Sequence, residues 1–282
     1  MPCCSTLHIT TNQALSPEQE RVFNEFLRRW EDVTEPLADE IRDAVAGGLI
    51  DLSSLQAIRT EIEPRVGVYT ADFEAVFREV SEEAAMAGRA VAGRRHQLDI
   101  VFDLVPERTI TELEDWSVTA SQSVSETMGE EITRWLRGAH EEGLGIDEIA
   151  EQFDSEYVTE RMHDTHSQQL ARDVTIGPSE AGSHSAHEDA PGVIAEEWVA
   201  TLDGRERDAH AVADGQIVPV DGTFLVGGEE LRNPHDPQGS VENTTQCRCS
   251  AVPVFADDLG PAQLEAIEAG QRIAPNGTIG VA

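Results

Sequence analysis

Between Trp198 and Cys249 the chain gathers the side chains best suited to chemistry. They are an Asp-Gly-Arg-Glu-Arg turn at 203–207, His210, an Asp214-Gly215 pair, a Pro-His-Asp-Pro loop at 234–237 and Cys247-Arg248-Cys249. His210, His235, Cys247 and Cys249 are four ligands of the types zinc uses, and four protein ligands would make the ion structural. The spacing is unlike a standard finger, with no Cys-x-x-Cys and no His-x-x-x-His. The plainer alternative is two buried thiols acting as small hydrophobes. Asp203, His210 and Cys247 also have the types of a Cys/His/Asp triad. The sequence holds neither a nucleophile-elbow motif nor a glycine-rich phosphate loop, so the reading is of no enzyme.

Asp203 follows a strand-like run, where its carboxylate can accept backbone N–H groups of the next turn. It can also pair with Arg205, Arg207 or Arg248, a guanidinium clamp that fixes loops in a domain with little core. In an extended Cys-Arg-Cys the two thiols share one face and Arg248 takes the other. A second group, His184, His187, Glu188 and Asp189, falls in the Gly-, Pro-, Ser- and His-rich stretch 177–192. That composition reads as a mobile polar loop rather than a metal site.

The elements that must position these groups change character along the chain. Ser16-Pro17-Glu18-Gln19 has the form of a capping box with Pro at the first helical position, and Val22, Phe23, Phe26, Leu27 and Trp30 follow at helical spacing. Pro36 is expected to bend or break that helix and Gly47-Gly48 to end the next piece. Asp51 is expected to cap a short helix stopping before Pro64. Phe73 to Ala92 predicts another helix, 98–105 is ambiguous, and Ser121–Glu142, Asp147–Phe153 and Glu156–Val174 predict three more. The pair around Gly143 has helix-turn-helix proportions. Its carboxylates, Glu141, Glu142, Asp147, Glu148 and Glu151, would repel phosphate, so a plain hairpin is preferred to a DNA-binding regulator.

After the linker the signal is strand-like. Trp198–Leu202 is one strand. Ile217–Val220 and Thr223–Val226 form a hairpin about Asp221-Gly222, and Ser250–Phe255 is an edge strand bearing Pro253. Pro261–Ala269 is a short helix, and the tail after Gly270 has little to pack against and would be ordered only on a partner. The expected class is α+β: a helical region 1–176, a linker 177–192, a small mostly β module 193–256, and a helix and tail 257–282.

Composition limits the partners. The chain has 282 residues, 54 Asp and Glu against 20 Lys and Arg, and a net charge of −34, with every one of those cations an arginine. Such a chain repels itself in dilute buffer, and molar salt shortens the screening length to roughly 3 Å. This points to a protein working in a salt-rich cytoplasm. It argues against a protein that wraps nucleic acid. No run of about 18 apolar residues is present, so no membrane span is expected. Met1–Thr10 lacks the features of a signal peptide. Cys3-Cys4 and Cys247-x-Cys249 do not read as a disulfide framework, which fits synthesis in a reducing compartment.

The order Trp198, Thr201-Leu202-Asp203, Arg205-x-Arg207, His210, Asp214-Gly215-Gln216, Phe224, Pro234 and Cys247-Arg248-Cys249 resembles the C-terminal module of the phage Mu F-like head morphogenesis family. The chain departs from that family at Met162–His166, which keeps a Thr but lacks the acid of a common Arg-Thr-Glu triplet. The resemblance implies a non-catalytic minor capsid protein of a tailed virus. It would be located in the virion at the portal vertex, with the portal protein, the major capsid protein and nearby packaged DNA as neighbours. Composition adds a halophilic archaeal host.

Overall fold

A computed structural model describes residues 15–101 and 104–281. Cys3, Cys4 and the Met1–Thr10 segment lie outside the described residues. The chain divides into two compact units. One contains 21–85 and 106–178; the other contains 86–105, 179 onward and the start of the first helix.

The first of these units is helical. α1 (Pro17–Ala46), α2 (Leu55–Val68), α3 (Thr70–His96), α4 (Glu107–Glu141) and α5 (Ile146–Gln152) are followed by a π-helical stretch, Phe153–Thr165, and by α6 (His166–Asp189). Ser16 and Gln19 close the expected capping box reciprocally, at 3.2 and 2.9 Å. The apolar stripe then builds an aromatic cluster, with Trp30 4.8 Å from Phe73 and Phe26 6.0 Å from Phe77 between ring centroids. Several buried hydroxyls in these helices bond one turn back, as in Thr34 to the Trp30 carbonyl and Thr133 to that of Gly129. In the π-helical stretch Thr159 instead donates to the Asp154 carbonyl, five residues back, and Phe153 stacks on Tyr157.

Three local expectations fail here. α1 runs through Pro36 and α2 through Pro64, so neither proline ends its helix. Ser54, not Asp51, caps α2, while Asp51 holds the preceding turn through the Ser53 N–H. α1 ends where Gly48 takes φ +66°, as its Gly pair implied. The five carboxylates around Gly143 are all exposed.

The second unit is built on an antiparallel sheet in the order β5-β1-β2-β6-β7. Its strands are β1 (Val193–Val199), β2 (Ile217–Pro219), β5 (Ser250–Phe255), β6 (Gln271–Ile273) and β7 (Ile279–Val281). β3 (Phe224–Val226) and β4 (Glu229–Leu231) form a separate ribbon. Short helices α7 (Asp208–Ala213), α8 (Val241–Thr244) and α9 (Pro261–Glu268) join them. Helices before a mostly β module make the expected α+β class, and Pro253 does lie on an edge strand.

The expected hairpin at Asp221-Gly222 is not formed. β2 pairs with β1 and β6, and β3 pairs with β4. Gln216 substitutes for the missing ladder, since its side-chain amide bonds both the N–H and the C=O of Leu225. The tail is ordered within the chain itself: Ile273 pairs with Ile217 and joins Ala195, Val254 and Ile267 in a small core.

The largest correction concerns 177–192. α6 continues to Asp189, so the expected linker is mostly helix, and it is buried. Its small residues serve close approach rather than flexibility. A Cβ placed on Gly88 of α3 would lie 1.9 Å from the Ser179 carbonyl oxygen of α6. The compact unit therefore begins near Ser179 and includes 86–105, rather than starting at 193. Leu98 packs with Ala92, Ala186, Ala190 and Val193, and residues 98–101 are neither helix nor strand.

Candidate functional site

Trp198 is wholly buried and centres a cluster with Phe224, Val226, Leu231, Ala213, Cys247 and Cys249. Its ring meets Phe224 and His210 edge-on, at 5.3 and 5.7 Å. The Asp214-Gly215 turn fixes the strand that carries it. Asp214 accepts the Ala200 N–H at 2.8 Å, Gly215 takes φ +80°, and the Gly215 N–H bonds the Trp198 carbonyl.

The clamp forms around Asp203. Arg248 grips its carboxylate with two guanidinium nitrogens at 2.5 and 2.8 Å, and Arg205 adds its side chain at 2.6 Å and its backbone N–H at 3.1 Å. The Arg248 hydrogen bonds, then those of Arg205, hold the carboxyl far below the usual carboxylate range. Arg207 takes another role and donates to the Thr245 carbonyl. Arg248 therefore ties the 203–207 turn to the Cys-Arg-Cys segment from its outer face, as alternation along an extended chain requires.

On the inner face His210, Cys247 and Cys249 converge, all buried, with one ligand atom of each within 4.8 Å of the others. His210 Nδ1 is 3.3 Å from Cys249 Sγ and 3.5 Å from Cys247 Sγ. The hydrogen bond from Cys249, working against burial and helped by His235 and His210, draws the Cys247 thiol well below its ordinary pKa. The same hydrogen bond and burial push Cys249 far up. His235 is buried beside Cys247 but is not one of the converging three. Its backbone takes φ +63° in a loop that Asp236 holds through the Arg232 and Gln238 N–H groups. Asp203 does not complete a triad, because its carboxylate is engaged by Arg205 and Arg248 while His210 meets the thiols.

A second polar cluster was missed in the sequence. Glu196 on β1 is fully buried and accepts His184 Nδ1 at 2.8 Å and His187 Nδ1 at 2.5 Å, both from α6. Burial opposes charge on either side of this pairing, but attraction outweighs it, so His184 is raised and Glu196 lowered. Glu180, one turn before His184, is buried against the Ala251 N–H, and desolvation pushes its carboxyl up to about 8. Buried Arg89 of α3 reaches Ser185, the Asp189 carboxylate and the Val101 carbonyl. The available signal was spacing: Glu180, His184 and His187 lie at i, i+4 and i+7, one face of a helix. Reading 177–192 as a loop hid it.

Among the described residues no helix is long and apolar enough to cross a membrane. No solved structure matches the chain. The uncharacterized protein YqbB of Bacillus subtilis (strain 168) is 25% identical over 183 residues, which cover 60% of this chain and 57% of that relative. The chain thus spans a little over half the length of the relative. Residues 130–252, less than half of the chain, match the family model described as Phage Mu protein F like protein. The matched stretch begins inside α4, takes in His210, Cys247 and Cys249 as well as Glu180, His184, His187 and Glu196, and ends in β5, so the region that resembled the family in its residues is supported as similar to Phage Mu protein F like protein.

Proposed function

We propose that this protein is a structural head-morphogenesis protein of a tailed virus. It is a minor capsid component of the virion that associates with the portal and acts in head assembly, with genome packaging or delivery as the process it serves. The observation that carries this is the match of residues 130–252 to Phage Mu protein F like protein, over a stretch that includes the Trp198–Cys249 constellation. A non-catalytic role agrees with the site. The acid of the Asp203, His210 and Cys247 set is held by two arginines, and Cys247 and Cys249 lie at 2 and 3% exposure. Portal and major capsid proteins are the partners, with packaged DNA nearby but not wrapped, since a net charge of −34 repels it. The lysine-free acidic composition supports a halophilic host.

The test is quantitative mass spectrometry of purified virions and assembly intermediates, referenced to the portal protein. A few copies per portal ring are expected. Absence of the polypeptide from both would refute the reading.

A further inference from the structure

His210, Cys247 and Cys249 come from two separate elements, α7 and the segment leading into β5, and the contacts close 37 and 39 residues of chain. Their exposures are only 2, 2 and 3%. One imidazole nitrogen faces both sulfurs at 3.3 and 3.5 Å, and one N–H can be directed at only one of them. A cation between the three satisfies both at once. Metal–sulfur bonds of about 2.3 Å and a metal–nitrogen bond of about 2.0 Å at tetrahedral angles imply nitrogen–sulfur edges of about 3.5 Å. The two observed nitrogen–sulfur separations match such edges.

We propose that His210 Nδ1, Cys247 Sγ and Cys249 Sγ bind one zinc ion. Soft thiolates with an imidazole in tetrahedral array select zinc over the hard divalent cations. His235, buried and hydrogen-bonded to the Cys247 thiol, is the candidate for the fourth corner. Both sulfurs bind as thiolates and the imidazole as its neutral form, so loading the site releases protons to solvent. The ion staples α7 to the Cys-Arg-Cys segment from inside, while the Asp203–Arg248 clamp joins the same region from outside. The ion would thereby supplement the small cluster around Trp198, which by itself holds few large apolar side chains. This assignment stands apart from the assembly role, since a metal site in a protein absent from virions would still be a metal site.

The test uses the full chain with Cys3→Ser and Cys4→Ser, so that the remaining thiols are the two in question. Purified in molar potassium chloride without chelator, it should retain about one zinc per chain by elemental analysis. Reloaded with cobalt(II), it should show a thiolate-to-metal charge-transfer band and intense visible bands of tetrahedral coordination. His210→Ala and Cys249→Ser should each lose stoichiometric metal. If those variants do not fold, the cobalt spectrum of the parent decides, because the charge-transfer band requires thiolate ligands and only these thiols remain. A folded parent that retains no zinc and gives no charge-transfer band overturns the assignment. So does a folded His210→Ala chain that keeps its metal with an unaltered cobalt spectrum.

Discussion

Replacing Glu180 with Gln should stabilise the chain relative to the parent by an amount that grows as pH rises. The side chain is buried, and desolvation raises its carboxyl from 4.5 to about 8. Below pH 4.5 the group is protonated in both the folded and unfolded chain, and its ionisation costs nothing. Between 4.5 and 8 the folded chain keeps a proton that the unfolded chain has released, so stability falls as pH rises, by about 1.4 kcal/mol per unit. Above 8 the loss levels off. The window spans about 3.5 units, so the full penalty is about 5 kcal/mol, of which about 1 kcal/mol is present at pH 5 and about 3 kcal/mol at pH 7. Gln keeps the shape and an acceptor for the Ala251 N–H without the titration. Urea denaturation of both chains in molar salt, from pH 5 to 9, isolates the effect because every other titrating group is shared. Relative to the parent, Glu180→Gln should gain about 4 kcal/mol of stability across that range. Parallel pH profiles would refute the reasoning.

Further outcomes follow from the same unit. Gly88→Ala should destabilise the chain by about 1–3 kcal/mol, despite the better helix former, because the new methyl meets the Ser179 backbone; a rise in denaturation midpoint would contradict that crossing. Glu196→Ala should cost about 3–5 kcal/mol by leaving His184 and His187 without their buried partner, with Glu196→Gln milder, both read by denaturant titration. Hydrogen exchange should show 177–189 protected like the rest of α6, whereas rapid exchange there would restore the loop. Arg248→Ala should speed proteolysis at the exposed 203–207 turn while leaving the global unfolding midpoint nearly unchanged, because that ion pair is open to solvent.

The sequence by itself determined what depends on neighbours in the chain. The capping box at Ser16, the apolar stripe of α1 and the edge position of Pro253 are all local signals, and each is present. The clamp was legible too, because Asp203 sits two residues from Arg205 and an extended Cys-Arg-Cys must turn Arg248 away from its thiols. Long-range pairing was not legible. Nothing local makes β2 prefer β1 and β6 over the nearby β3, and Gln216 settles the matter with a side-chain amide whose reach no periodicity records. The misreading of 177–192 has the same origin. Gly, Pro and Ser weaken a helix in isolation, yet it is small Ser179 that lets α6 approach α3 at Gly88, and such packing rather than propensity stabilises the helix. Only the tertiary structure could therefore turn His184 and His187 toward Glu196, and set three of the four proposed ligands together while holding His235 beside them. Residue types set which chemistry is available, and non-local burial decides which side chains meet to perform it.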